Sequence, residues 1–262
     1  MQHESAVLMK VRLYCDTPLA TGAHVTLPEP AAHHARDVLR LEAGAAVTLL
    51  NGRGGEYTAA LTQVSRKSVE AEVLAFWQRE SEPPFHITVA QSLATGDKMD
   101  WVVEKSVELG AAAVVPIAAA RSVLKLSAER AERRVEHWQA IARAACEQCG
   151  RNRLAQIAPV TTLNAWLLTS GAPGGTGSTG TSLPLKLMLA PVAGLAFHAI
   201  PAPLPGDSIT LLIGPEAGLT DAEEAAARAA GFQGITLGPR VMRTETAALA
   251  ALAAIHARWG DF

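Results

Sequence analysis

The hydrophobic positions of this chain follow two different patterns, and the change between them falls near residue 81. Before that point, short apolar runs separated by polar turns predict β-strands at residues 47–50, 56–61 and 68–76. One helix, over residues 31–41, interrupts these strands. The pattern predicts a small β-barrel domain over residues 1–81, which ends where Glu82-Pro83-Pro84 stiffens the chain.

From residue 82 onward, apolar strands alternate with helical patterns, which is typical of a mostly parallel α/β sheet. The predicted strands lie at residues 86–93, 113–117, 185–189, 210–213 and 235–237. The predicted helices lie at residues 97–109, at 128–149, from the capping pair Thr220 and Glu223 to Gly231, and from about Thr244. A further short element is expected at residues 163–168. We therefore expect one α/β domain over residues 82–262.

The segment 169–184 differs from its surroundings in composition. It is rich in Gly, Ser, Thr and Pro, and such a sequence buries too little apolar surface to order itself. The composition predicts a flexible surface loop without chemistry.

Composition and charge narrow the class of protein only slightly. The chain carries 23 Lys and Arg against 25 Asp and Glu, a formal net charge of -2, so any affinity for RNA must come from local patches. The longest apolar run, residues 111–120, is shorter than the roughly 20 residues of a membrane helix. No cationic leader precedes an apolar core, so we expect a cytoplasmic protein.

The three cysteines are too few for a disulfide framework. Cys146 and Cys149 have the C-x-x-C spacing of redox and zinc motifs, but no second Cys or His pair stands nearby. The pair also lies near the predicted end of a helix, where the helix dipole disfavours a thiolate. We interpret both cysteines as structural and predict no metal site.

Three loops follow predicted strands of the α/β domain, at residues 190–194, 214–219 and 237–243. Ligands of open α/β sheets bind at the carboxyl ends of the strands, where backbone amides and helix N-termini converge. Glycine at such a turn also lets a flat ligand approach the backbone. Neither G-x-G-x-x-G nor G-x-x-x-x-G-K-[ST] is present, which argues against a dinucleotide or P-loop phosphate site.

The sequences of the last two loops carry a family resemblance. IGPEAGLTDAEE and LGPRVMRTETA resemble the signature of the SPOUT superfamily of S-adenosylmethionine-dependent RNA methyltransferases, whose C-terminal chain forms a trefoil knot. Within it, the chain is similar to the family that methylates N3 of a uridine in bacterial 16S ribosomal RNA. GDKMDWVVEKSVELG, ARSVLK and ACEQCGRNR also resemble that family. The chain departs from it at Ala217-Gly218-Leu219, usually Gly-Gly-Phe, and at Met242, usually Leu.

The resemblance implies a fold, a cofactor and a cofactor site. It implies a PUA-like N-terminal domain, a knotted C-terminal domain and S-adenosylmethionine held in a bent pose, with adenine bonded mainly to backbone groups. The implied cofactor-binding residues are Leu189, Ala190, Ile213, Gly214, Pro215, Glu216, Ala217, Gly218, Leu237, Gly238, Val241 and Met242.

Three charged residues are candidates for catalysis. A cation near the uracil carbonyls would favour the anionic base, and Arg243 is the leading candidate for it. Alternatively, the RTETA sequence is only a helix start with Thr244 as N-cap and Glu245 in the first turn, and both interpretations can hold together. Glu147 and Arg151, with Arg143, are spaced four apart and form either an exposed ion-pair ladder or a family motif that faces the active site.

RNA contacts are expected from arginines outside the cofactor loops. PUA-like domains often grip RNA, so the resemblance favours Arg12, Arg36, Arg40 and Arg121 as RNA-binding residues. A charged helix over residues 31–41 is also compatible with a simple solvated face, and Arg121 with a structural arginine of a loop.

Three functions compete at this point. The first is an S-adenosylmethionine-dependent ribosomal RNA uridine-N3 methyltransferase. The second is a non-catalytic RNA-binding protein with a degenerate α/β domain. The third, a nucleotide-dependent hydrolase or synthetase that uses IGPEAG as a phosphate cradle, is disfavoured because Lys is missing and Glu216 would repel phosphate.

The final predicted helix indicates an assembly. It is apolar on more sides than a single core-facing stripe requires, and the family resemblance implies pairing through the knotted region. We therefore expect a homodimer, whose substrate is 16S ribosomal RNA or the small ribosomal subunit.

Overall fold

The computed structural model describes residues 11–170, 184–190 and 194–262. These residues form two compact units. The first comprises the chain up to Glu82 together with Cys146–Leu154, and the second comprises Pro83–Ala145 and Ala155–Phe262. The predicted flexible loop at 169–184 lies almost entirely outside the described residues.

The first unit is built on a mixed five-stranded sheet. Its strands are β1 (Val11–Tyr14), β2 (His24–Thr26), β3 (Ala46–Leu50), β4 (Glu56–Val64) and β5 (Val69–Trp77). The hydrogen-bonded order is β1-β3-β4-β5-β2, with β1 and β3 parallel and the other pairs antiparallel. Within residues 11–170, the end strands β1 and β2 are not hydrogen-bonded to each other. The strands of the predicted barrel therefore form a sheet that is not closed by hydrogen bonds between these two strands. β1 and β2 were not predicted from the sequence.

A short helix packs alanines into the core of this unit. The helix α1 (Glu29–His33) continues as a π-helical turn over His34–Val38, and Ala31, Ala32 and Ala35 are buried. Pro30 falls in the first turn, where its missing N–H is not needed. The predicted end at residue 41 is wrong, because Arg40 adopts a left-handed φ of 52° that no helix continues through.

The second unit contains a parallel sheet. Its strands are β6 (His86–Ser92), β7 (Ala111–Ala118), β8 (Gln156–Ile157), β9 (Thr161–Thr162), β10 (Leu185–Leu189), β11 (Leu195–Ala196), β12 (Ser208–Ile213) and β13 (Gln233–Thr236). The order is β11-β13-β10-β12-β6-β7-β8, with β9 also beside β7, and every described pair is parallel. The predicted α/β architecture with a parallel sheet is confirmed.

Helices connect these strands. They are α2 (Lys98–Glu108), α3 (Ala128–Cys149), α4 (Leu163–Ser170), α5 (Asp221–Ala229) and α6 (Thr244–Trp259), with a 3-10 turn at Phe197–Ala199. The apolar stripe predicted for α2 is buried, at Met99, Val102, Val103 and Val107. The predicted capping box is present: the Thr220 side chain accepts from the Glu223 amide, and the Glu223 side chain accepts from the Thr220 amide. No helix in the described part of the chain is long and apolar enough to cross a membrane.

Candidate active site

Three loops meet because the strands that precede them are neighbours. β10 pairs with β12 on one side and with β13 on the other, and all three run in the same direction. Their carboxyl ends therefore lie at one edge of the sheet, as expected for a ligand site of this fold. The loops after β12 and β13 are fully described, whereas residues 191–193 of the first loop lie outside the described residues.

A cavity of about 520 Å³ opens at this edge. Its volume falls within the range of about 300–1,000 Å³ typical of small-molecule sites. Ten of the predicted cofactor-binding residues line it: Leu189, Ala190, Ile213, Gly214, Pro215, Glu216, Gly218, Leu237, Val241 and Met242. The other two, Ala217 and Gly238, are not among the lining residues, although each belongs to a loop that lines the cavity.

Arg243 and Thr244 also line the cavity, at the start of α6. The exposed side chain of Arg243 has no hydrogen-bond or ion-pair partner within residues 11–170, 184–190 and 194–262. It is therefore available to an incoming anionic group.

The interpretation of Thr244 as an N-cap is wrong. The N-cap residue is Arg243, and it makes no side-chain cap. Thr244 is instead the first residue of α6, and its hydroxyl donates to the backbone carbonyl of Gly214 at 2.7 Å. Glu245 does lie in the first turn of the helix, as predicted.

Two ion pairs that share Lys98 lie beside the cavity and were not predicted from the sequence. The Nζ atom of Lys98 lies 3.1 Å from Glu216 Oε1 and 3.7 Å from Glu245 Oε2. Burial alone would raise the pKa of Glu216, but hydrogen bonds from its own backbone amide and from Lys98 outweigh burial and hold the pKa below its usual value. Glu216 is therefore a carboxylate at neutral pH. The GDKM sequence contains Lys98 and was part of the family resemblance, but none of its residues was predicted as a site residue.

Arg121 anchors the middle loop. Its guanidinium donates to the carbonyl of Leu219 at 3.1 Å and to that of Ala217 at 3.4 Å. This geometry gives Arg121 the role of a structural arginine of a loop, one of its two predicted interpretations, and its contact with RNA stays a prediction.

Glu147 and Arg151 lie in the first unit, and the residues that line the cavity do not include them. Glu147 accepts a hydrogen bond from the backbone amide of Tyr14 at 2.6 Å. Arg151 is buried and donates to both carboxylate oxygens of Glu82, at 3.1 and 2.5 Å. The ladder interpretation is wrong for Arg151, because α3 ends at Cys149 and Arg151 follows it. A catalytic role for either residue stays a prediction.

The RNA-binding candidates of the first unit differ in accessibility. Arg12 is paired with Glu56 at 2.6 Å and with Asn152 at 2.5 Å, and only 14% of its side chain is exposed. Arg36 is similarly occupied, by Asp37 and Glu29. Arg40 is exposed and protrudes just after the helical turn. Of these three, Arg40 has the geometry that best suits a phosphate contact.

The cysteines are free thiols. Cys146 is buried, and its Sγ donates to the carbonyl of Arg153 at 3.5 Å. In the part of the chain that the structure describes, no three His, Cys, Asp or Glu residues are grouped to hold a metal ion.

Family models match most of this chain. One that describes an RNA methyltransferase domain matches residues 81–256, and another that describes an RNA methyltransferase PUA domain matches residues 27–74.

Curated relatives match over nearly the full length. The chain is 35% identical to ribosomal RNA small subunit methyltransferase E of Bacillus subtilis (strain 168), over 85% of this chain and 86% of that protein. It is 32% identical to the protein of the same name from Synechocystis, over 97% of this chain and 79% of that protein.

Two solved structures are similar throughout. A methyltransferase of Legionella pneumophila in complex with the bound cofactor SAM matches with a TM-score of 0.88 and 32% identity, over 97% of this chain and 100% of that chain. Ribosomal RNA small subunit methyltransferase E of Neisseria gonorrhoeae, bound to S-adenosyl methionine, matches with a TM-score of 0.85 and 37% identity, over the same shares.

Proposed function

Because the chain belongs to the RNA methyltransferase family whose domain model spans residues 81–256, we propose that it methylates N3 of a uridine in the 16S RNA of the small ribosomal subunit, with S-adenosylmethionine as methyl donor. The observation that carries this proposal is the cavity at the ends of β10, β12 and β13, which brings Arg243 beside the cofactor loops. The expected location is the cytoplasm, where bacterial ribosomal RNA is made.

The cavity fits the cofactor in size and in chemistry. Its apolar wall, formed by residues such as Leu189, Ile213 and Leu237, suits the flat adenine ring, and the loop backbones offer N–H and C=O groups to its edge. Glu216 and Lys98, an ion pair that also lines the cavity, add polar groups to this apolar wall. The bound cofactor supplies an electrophilic methyl group on a sulfonium.

Arg243 stabilises the reacting base. The N3–H bond of uracil breaks and its proton passes to the solvent, so negative charge develops on N3 and on the flanking carbonyl oxygens. N3 then takes the methyl group, whose bond to sulfur breaks and leaves a neutral thioether. A guanidinium held beside the base stabilises the developing negative charge. Holding the two reactants in line removes up to about 7–11 kcal/mol of the barrier. The chain therefore contributes position and charge, and needs no metal.

The non-catalytic alternative predicts a damaged cofactor site. The described cavity instead contains ten of the twelve predicted cofactor residues, together with an unpartnered cation within the described part of the chain. These observations favour an active enzyme. The phosphate-cradle alternative is tested by ligand binding, because the ionised Glu216 is paired with Lys98 and does not decide against phosphate by itself.

The trefoil knot is part of the same proposal. β13 lies between β10 and β11, which both precede it in the chain, and α6 begins with Thr244 bonded to the Gly214 loop. This return of the last segment to earlier loops supports the knotted arrangement that the family resemblance implies.

The cofactor proposal predicts binding without metal. Titration calorimetry with S-adenosylmethionine should give one saturable site per chain, and its affinity should be the same in buffer with and without EDTA. ATP and NAD serve as control ligands, because both share the adenosine group of S-adenosylmethionine but carry phosphates. Tight binding of either nucleotide without binding of S-adenosylmethionine would contradict the proposal, and so would loss of binding in EDTA.

We also propose a homodimer that shares its active sites. The buried face of α6 includes Ala248, Leu252 and Ile255, whereas a second apolar stripe on the same helix stays half-buried: Leu249, Ala250, Ala253 and Ala254. Small residues in such a stripe allow a second helix to approach closely, and a two-fold contact is the commonest soluble assembly.

Sedimentation at micromolar concentration tests the pairing, and the activity of any monomeric fraction tests the sharing. A fully active monomer would rule out this part of the proposal.

A further inference from the structure

A buried chain of hydrogen bonds connects a central strand of the sheet to the cavity. Gln91 lies in β6, outside the three cofactor loops, and is fully buried. Its Nε2 donates to the hydroxyl of Thr244 at 2.8 Å, and that hydroxyl donates to the carbonyl of Gly214 at 2.7 Å. The chain therefore joins β6, the start of α6 and the middle cofactor loop.

The donor and acceptor roles in this series of hydrogen bonds are fixed by the groups that it joins. The carbonyl of Gly214 only accepts, so it takes the single proton of the Thr244 hydroxyl. Thr244 must then accept from Gln91, which orients the Gln91 amide with Nε2 toward it. The second Nε2 proton goes to the carbonyl of Ser92 at 3.0 Å, which requires the same orientation.

The arrangement leaves one acceptor without a partner. Gln91 Oε1 is buried and has no hydrogen bond within the described residues. An unpaired buried acceptor destabilises a fold, so an apolar residue at this position would serve the core better. The Gln91 amide therefore does not serve the stability of the fold. Its two N–H groups instead hold the Thr244 hydroxyl and the Ser92 carbonyl in place.

Two of the three elements joined by these hydrogen bonds, the Gly214 loop and the start of α6, carry the proposed chemistry. Gln91 lies opposite Ile213 in the parallel pairing of β6 with β12, directly before the Gly214 loop. Thr244 is the peptide neighbour of Arg243. A shift of the Thr244 hydroxyl relative to Gly214 would therefore move the base-stabilising guanidinium relative to the cofactor loop.

We propose that Gln91 and Thr244 are positioning residues, which set the distance between the Gly214 loop and Arg243 so that base and cofactor meet in line. This rests on the proposed methyltransferase function. Lys98 joins the same two elements at the surface through Glu216 and Glu245, but these ionic contacts are partly exposed and are screened by salt. The buried hydrogen bonds of Gln91 and Thr244 therefore fix the distance between the Gly214 loop and Arg243.

The decisive comparison is Thr244→Val against Thr244→Ser. Valine keeps the shape of threonine and removes both hydrogen bonds, whereas serine keeps the hydroxyl and loses only a methyl group. Thr244→Val should lower kcat at least about tenfold with KM for the RNA little changed, and Thr244→Ser should recover most of it. Gln91→Met, which preserves volume and leaves the Thr244–Gly214 bond intact, should give a smaller loss in the same direction.

A purely structural role predicts a different outcome. Thr244→Val would then lower the melting temperature, while kcat per folded active site, counted by cofactor titration, would match the wild type. That result would overturn the proposal, and so would equal kcat losses in the valine and serine variants.

Amide hydrogen exchange separates this proposal from the proposed function. In Thr244→Val, exchange should accelerate at residues 214–219 and 243–246 together, with the central strands unchanged and with wild-type rates in Thr244→Ser. If this exchange pattern is found in a protein that methylates no RNA, the proposed methyltransferase function is refuted, and the structural link between Thr244 and the Gly214 loop stands. If the enzyme is active and Thr244→Val changes neither amide exchange nor kcat, only the positioning role of Gln91 and Thr244 is refuted.

Discussion

Replacement of Arg243 by alanine is expected to lower kcat by about 10²- to 10³-fold, the loss typical of one charge-stabilising donor. The dissociation constant for S-adenosylmethionine should stay within about twofold, because the guanidinium acts on the base and not on the cofactor. Arg243 has no partner within the described residues and lines the cavity, so its removal should leave the fold unchanged. Single-turnover methylation and calorimetry measure the two quantities.

Two further variants define what the loss means. Arg240→Ala removes the same charge from the same cavity, ahead of α6, and should cost far less in kcat. Arg243→Lys should recover only part of the activity, because a point charge does not reproduce the planar fork of a guanidinium. Equal losses in kcat and in cofactor affinity for Arg243→Ala would make it a binding or folding residue instead.

Gly238→Val is expected to weaken S-adenosylmethionine binding by about ten- to a hundredfold, since forcing a side chain into such a backbone costs of order 1–3 kcal/mol. Gly238 has a φ of 128°, which a β-branched residue rarely adopts, although no atom of the described residues lies within 4 Å of a Cβ placed there. The loop must therefore change its backbone, and with it the wall formed by Leu237, Val241 and Met242.

Gly206→Val is the matched control. Gly206 has a φ of 88° and equally open space around a Cβ, but it belongs to a turn that does not line the cavity. It should lower the melting temperature by a similar amount without changing the cofactor affinity. If both variants weaken binding equally, the effect on affinity reports general destabilisation and not the loop.

Local periodicity was sufficient to predict the longer strands and the helices of the second unit. Each predicted strand and helix there was found with shifts of a few residues at most, because amphipathic helices and buried strands are encoded by near neighbours. The cofactor loops followed directly, since parallel strands bring their carboxyl ends to one edge. The same reasoning missed β1 in the first unit. It also missed β2, β8, β9 and β11, which have two or three residues each and are too short to show a period.

Contacts between distant positions could not be predicted in this way. Residues 146–154 belong to the first unit, where Arg12 bonds Asn152 across 140 positions of sequence. The same distance effect hid the partner of Arg151, for which a helix ladder was one of two interpretations and which is paired with Glu82. The Lys98–Glu216 ion pair and the Gln91–Thr244 bond join residues 118 and 153 positions apart. Each depends on the folded sheet to bring its partners together.

Identification of the methylated atom decides whether the protein is a uridine-N3 methyltransferase. Small subunits from a bacterial strain that lacks the corresponding gene would be incubated with the purified protein and isotopically labelled S-adenosylmethionine, and the nucleosides of the digested RNA separated by mass spectrometry. The account predicts label in N3-methyluridine of the small-subunit RNA, at one position, and almost none with Arg243→Ala. Label in a different nucleoside, label in the large-subunit RNA or no transfer by a protein that binds the cofactor would contradict it.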